Sequence, residues 1–447
     1  MKTTLENNSY DTMLEPSDWR FSASIVGLIK YLDYHDLDYK VEDDCIYYNR
    51  EDLNEEKYLE FVEYKYGEEL HHKVVENILS KEDLSDEEIK LVNDKLSANT
   101  IMKKTFGKLK YDKTNKQQLL DIIIKNRNEL IRETFRSKSD MYANYANTNQ
   151  LFNDSQENCR LLGYYIDSGK KGKSTAFNFN TSTFVGRDER EFDFIPFAFE
   201  GKREGFFIND NYTVERLKIS NKTLRIKVES DLDSSRKSKD IRQILFKGII
   251  ESTDFIDRDI EVIFKDRDKS YFETLYIRKE SIDIFKKMAE ENIDYKSFCF
   301  SYKVTDKYYI NIQKKVTDCI LNNLLLDNLI ELFLKEKGRD YLVSQLIKIN
   351  VLIRRDESMK DRLKGAYKNA KQVAEVLEVN KLDSYKQKLT SSIIFKDYDR
   401  VCQILLQLSN YSGVEFGFVY DLFDDFEENK DLAYTFINAL TKKKENK

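Results

Sequence analysis

From about residue 314 to the C-terminus, apolar residues return every three or four positions and no stretch alternates as a strand would. Ile320, Leu324, Leu325, Leu329, Leu332 and Phe333 open the pattern. A stripe of that period has to bury itself against other helices. Further helices are expected near 340–354, 359–378, 382–394, 397–410, 414–427 and 431–442. About 130 residues of this kind can close a helical bundle with a core of its own.

The chain ahead of the bundle has a different rhythm. Asp18 can cap a helix that places Phe21, Ile25, Leu28, Ile29 and Leu32 on one stripe. Tyr39–Val41 and Cys45–Tyr48 flank Glu42-Asp43-Asp44, which predicts a hairpin. Helical spacing covers 54–79, 85–98 and 115–138, the last with Leu119, Leu120, Ile123, Ile124, Arg127 and Leu130. Near 160 the period changes. Phe177–Asn180 alternates, Phe192, Phe194, Phe197 and Phe199 crowd together, and Val214–Val228 alternates in places, all strand signals. Strands are expected at 259–265, 271–278 and 306–312, and helices at 237–250 and 280–292. The fold class is therefore α+β. A mixed, mostly helical region (1–158) and a β-rich region (159–313) precede the all-α bundle (314–447).

Charge narrows the partners. The net charge is only −6, but residues 1–100 hold 11 basic and 25 acidic groups, while 335–400 hold 16 basic and 10 acidic. That asymmetry suits a protein that meets nucleic acid on one face. No run of 18 apolar residues occurs, so no membrane span is expected, and the polar N-terminus lacks the apolar core of a signal peptide. Five scattered cysteines indicate a reducing compartment, hence the cytoplasm, rather than a disulfide framework.

Gly169-Lys170-Lys171-Gly172-Lys173-Ser174 ends like a phosphate-binding loop, but Asp167 stands where the first glycine belongs and an alternating stretch replaces the helix. Nucleotide hydrolysis is rejected. The remaining readings are a solvated hairpin loop or a loop on duplex DNA, with Lys170, Lys171 and Lys173 on phosphates and Asn178 and Asn180 near base edges. Glu63-Tyr64-Lys65 has the tail of a metal-dependent nuclease motif, yet it falls in a helical pattern instead of on a strand. No cysteine pair has metal spacing and His71-His72 are adjacent, so no metal, cofactor or catalytic residue is assigned. Trp19, the sole tryptophan, reads as a core anchor before a stacking platform. Arg354, Arg355, Lys360, Arg362, Lys364, Lys368 and Lys371 form a basic run in which Lys360, Lys364, Lys368 and Lys371 share one helical face. Such a face is either solvated surface or a track for a DNA or RNA backbone.

Asp18–Leu28, Phe184–Asp188, Glu191–Phe199 and Phe207–Asn211 together resemble the large subunit of the CRISPR type I-B Cascade complex. The order of parts agrees along nearly the whole chain, and these quotable stretches cover the specific likeness. Many relatives carry paired C-x-x-C units; only Cys159 stands near that place here, so no metal is carried over. The resemblance implies a non-catalytic subunit for antiviral defence. It would lie beside the guide RNA, help recognise the motif flanking the target (the PAM) in double-stranded DNA, hold the displaced single strand of the R-loop, and recruit the helicase-nuclease effector alongside other Cascade subunits. The bundle resembles the small subunit, which further implies a separate product from an internal start. Met288, or a non-standard start codon between there and Asp318, would retain Leu324–Leu334 where Met359 would not. The alternatives are a defence-associated nuclease with an unread site and a protein-interaction scaffold.

Overall fold

A computed structural model describes residues 10–42, 44–146, 151–152, 159–164, 188–200, 205–234 and 259–442. These residues are α+β: 17 helices with small sheets. The chain divides into two compact units, Met1–Tyr276 and Ile277–Lys447.

In the first unit, Asp18 caps α1 (Trp19–Tyr34) by accepting from the amides of Arg20 and Phe21. Beside it lies an antiparallel sheet in the order β1 (Thr12–Leu14), β3 (Cys45–Tyr48), β2 (Tyr39–Glu42), which includes the expected hairpin. The helical pattern over 54–79 is two helices, α2 (Glu55–Tyr66) and α3 (His71–Leu79), interrupted at Gly67–Leu70. With α4 (Asp86–Leu96), α5 (Thr100–Phe106) and α6 (Lys116–Ser137), α3 closes a small core of its own around Val75, Leu79, Val92, Met102, Leu119 and Ile123.

The larger core lies under α1 and contains two corrections. Phe192, Phe194, Phe197 and Phe199 were expected on a strand; Arg190–Phe194 is a 3-10 turn leading into α7 (Ile195–Ala198), with all four rings buried. Val214–Val228 was also expected as strand, and it lies in α8 (Val214–Ser234). The buried positions Val214, Leu217 and Asn221 recur at helical, not alternating, spacing. Asn221 bonds both backbone polar groups of Ile208 in β4 (Gly205–Asn209), which pairs antiparallel with β5 (Ile260–Lys265), itself next to β6 (Glu273–Ile277). The expected helix at 237–250, the segment Phe177–Asn180 and residues 184–187 lie outside the described residues.

A buried ionic knot ties the core together. Arg160, fully buried, donates from Nε to both oxygens of Asp188 (3.1 and 2.9 Å) and from Nη1 to Asp193. Tyr142 donates to the same Asp193 oxygen at 2.9 Å, and the amide of Phe152 to the other at 2.6 Å. Tyr48 donates to Glu191 at 2.7 Å. Trp19, residues 22–28 and Glu191–Phe199, which carry much of the resemblance, are buried, and Trp19 packs against Phe272 with ring centroids 4.6 Å apart. Gly27 shows how tight the packing is: a Cβ there would sit 2.0 Å from the carbonyl oxygen of Phe194. Because the obstacle is backbone, Gly27→Ala is expected to cost roughly 1–3 kcal/mol, the range for an overpacked core, read as a lower denaturation midpoint with unchanged slope.

The second unit holds α9 (Lys279–Glu290), an exposed hairpin of β7 (Ser301–Thr305) and β8 (Tyr308–Asn311), and eight more helices: α10 (Ile312–Leu321), α11 (Asp327–Leu334), α12 (Asp340–Arg354), α13 (Met359–Val376), α14 (Val379–Ile394), α15 (Tyr398–Ser412), α16 (Phe418–Asp424) and α17 (Phe426–Ala439). α9 packs on α10 and α12, with Ile282, Ile284 and Phe285 buried. A product begun at Met288 would leave those three side chains out.

Candidate nucleic-acid interface

The basic run of the bundle spans the end of α12 and most of α13. α13 buries Met359, Ala366, Ala370, Val373 and Ala374 on one side, and the small alanines let α17 come close. The opposite side exposes Lys364 and Lys368 together with Asp361 and Glu375.

The structure sorts the seven basic residues by what holds them. Arg354 is turned inward: Nε reaches the fully buried Asp431 at 3.2 Å and Nη1 reaches Glu428 at 2.7 Å, both on α17. Arg362 bonds Asp356 (2.5 Å) and the side-chain oxygen of Asn429 (2.7 Å). Lys360 bridges Glu291 (2.7 Å) and Glu357 (2.8 Å), and these bonds hold it above the ordinary lysine range. Lys371 donates to the carbonyl oxygen of Thr441 at 3.2 Å and lies 5.5 Å from the centre of the Tyr367 ring. Lys364 makes only a surface pair with Asp361 in the turn before it, and its side chain is 78% exposed. Arg355 and Lys368 are exposed and make no ion pair among the described residues. Of the seven, Arg355, Lys364 and Lys368 are therefore the cations with charge to offer a ligand. Lys170, Lys171, Lys173, Asn178 and Asn180 lie outside the described residues.

The reading by charge run passed over three exposed residues of these two helices, Tyr341 and Lys348 on α12 and Tyr367 on α13. Tyr341, Lys348 and Arg355 follow at seven-residue intervals, and all three are exposed, so they share one side of α12 and its C-terminal cap. Tyr367, 52% exposed, stands between Lys364 and Lys368. The signal was available: a tyrosine interleaved with lysines at helical spacing offers a flat ring beside cations that can follow phosphates. The β7–β8 hairpin repeats the combination, with Lys303, Lys307, Tyr308 and Tyr309 all exposed.

Asp431 deserves a separate test because it anchors Arg354. Burial raises its carboxyl to about 6, against the hydrogen bond from Asn350 and the charge of Arg354. The folded unit therefore binds this proton more tightly than the unfolded chain does, so the stabilisation from protonation is present below about pH 4 and is lost as pH rises through about 6. Between those limits Asp431→Asn should gain on the natural protein by on the order of 3 kcal/mol, measured as the difference in unfolding free energy at pH 4 and pH 7. Equal differences at both would contradict it.

The nuclease-like triplet has other commitments. Glu63 lies on α2 and accepts from Arg127 of α6 (2.5 Å) and His72 of α3 (3.0 Å). Burial alone would raise its carboxyl, but His72 and Arg127 outweigh burial and hold it below the usual range. Among the described residues no group of three or more His, Cys, Asp or Glu is placed to hold a metal ion, and no helix is long and apolar enough to cross a membrane.

Against known proteins, the model of the family described as CRISPR-associated protein Csx8 matches residues 10–440. No curated protein and no solved structure matches the chain.

Proposed function

The chain belongs to the family of CRISPR-associated protein Csx8, and from that premise we propose that it is the non-catalytic large subunit of a type I-B Cascade complex whose second unit follows nucleic acid along α12 and α13. The observation that carries the reading is the sorting of cations. Arg354, Lys360 and Arg362 are spent on carboxylates of the same unit, whereas Lys348, Arg355, Lys364 and Lys368 face water beside Tyr341 and Tyr367. Exposed cations release counterions when they meet phosphates, and exposed rings stack bases without regard to sequence. That chemistry suits a subunit that holds a displaced strand while guide pairing supplies specificity. The clamp on Glu63 supports a role without metal-dependent cleavage.

The test is to express the tagged chain in cells carrying the remaining genes of its CRISPR locus, then to identify what purifies with it. Guide-length RNA and other CRISPR-associated proteins are expected. A chain that purifies alone, or that cuts DNA with Mg²⁺, would overturn the proposal.

A further inference from the structure

One exposed aromatic site in the first unit lies where nucleic acid is unwelcome. Tyr34, the last residue of α1, and Tyr64 of α2 stack with ring centroids 4.4 Å apart and an interplanar angle of 27°. Tyr34 is 41% and Tyr64 65% exposed. Below them the buried Phe61 packs on both rings, and His35 meets Tyr34 edge to face at 4.7 Å. The pair is therefore held in place, not scattered on a loose surface. Some exposed tyrosines elsewhere already lie under a cation of the same chain: Lys269 over Tyr271, Lys371 over Tyr367 and Lys381 over Tyr411. Among the described residues no lysine or arginine lies over Tyr34 or Tyr64.

The surroundings are acidic. Residues 33–68 contain 13 acidic and 4 basic side chains. Glu56, Glu60 and Tyr64 follow at four-residue spacing on α2, and all three are exposed. The Tyr34 phenol is pushed up by burial and then by Glu60, Tyr64 and Glu63. A phosphate backbone would be repelled here. A guanidinium fits: its plane can lie on a tyrosine ring while its N–H groups reach a neighbouring carboxylate.

We propose that the Tyr34–Tyr64 pair, with Glu60 and Glu56 beside it, is a docking point for an arginine-bearing segment of another protein. Only the rings and charges of this patch define the docking point, which is independent of the nucleic-acid reading of Ile277–Lys447.

The probe is a fluorescein-labelled peptide of alternating arginine and serine, titrated with the full chain at physiological salt. Tyr34→Ala with Tyr64→Ala leaves net charge unchanged and should weaken binding by about tenfold or more, as the loss of a stacked guanidinium would. Tyr34→Phe with Tyr64→Phe keeps the rings and should stay within about twofold. Glu87→Gln removes one exposed charge from α4 and should have a smaller effect than the alanine pair. The proposal is overturned if the alanine pair binds like the natural protein, or if Glu87→Gln weakens binding as much. It is equally overturned if the alanine pair weakens binding of single-stranded oligothymidine instead.

Discussion

Arg160→Ala is expected to unfold Met1–Tyr276 or to leave it barely stable. The side chain is fully buried, and its guanidinium neutralises two carboxylates that are themselves inaccessible to water. Removing it strands Asp188 and Asp193 without a counter-charge. Breaking a buried pair from one side costs about 3–5 kcal/mol, a large part of the 5–15 kcal/mol that typically separates folded from unfolded. In a unit of this size that is a fall of roughly 6–20 °C in the unfolding midpoint. Arg362→Ala provides the comparison. Its pair with Asp356 is about one-third exposed on both sides, and such pairs are worth about 1 kcal/mol or less. If the two variants lose similar stability, the knot around Arg160 does not hold the core.

Much of the fold was legible because many helices carry an unambiguous stripe. The pattern over 115–138 became Lys116–Ser137, and 340–354 became Asp340–Arg354. Reading failed where burial removes the stripe. Glu191 and Asp193 alternate with Phe192 and Phe194 as in a strand, yet all four are buried, so the alternation does not mark a solvent face. In Val214–Val228 the alternation was misleading: Ile219 is exposed, and the contacts that matter are those of Val214, Leu217 and Asn221. The candidate site was legible as charge but not as free charge. Arg354 belongs to a basic run in sequence, and nothing local announces that Asp431, 77 residues on, will claim it. Likewise Lys348 lies outside the run and was passed over, although its exposure on α12 puts it beside Arg355.

The second large effect follows from that sorting. Replacing Lys348, Arg355, Lys364 and Lys368 together with glutamate should weaken binding to single-stranded DNA by on the order of 100-fold at 0.15 M salt, since each lost phosphate contact removes about 0.7 from the slope of log affinity against log salt. None of the four belongs to the buried face of its helix, so the variant should keep the thermal stability of the natural protein. Reversing Lys90, Lys103, Lys108 and Lys125 makes the same change in net charge at exposed sites in the first unit, and it separates a specific track from bulk charge. The direct measurement is the affinity of the full chain for a single-stranded oligonucleotide across a series of salt concentrations. For the α12–α13 variant the slope should shallow by about 3, while the first-unit variant keeps the natural slope. Equal slopes in all three proteins, or equal shallowing in both variants, would contradict the assignment of this face to nucleic acid.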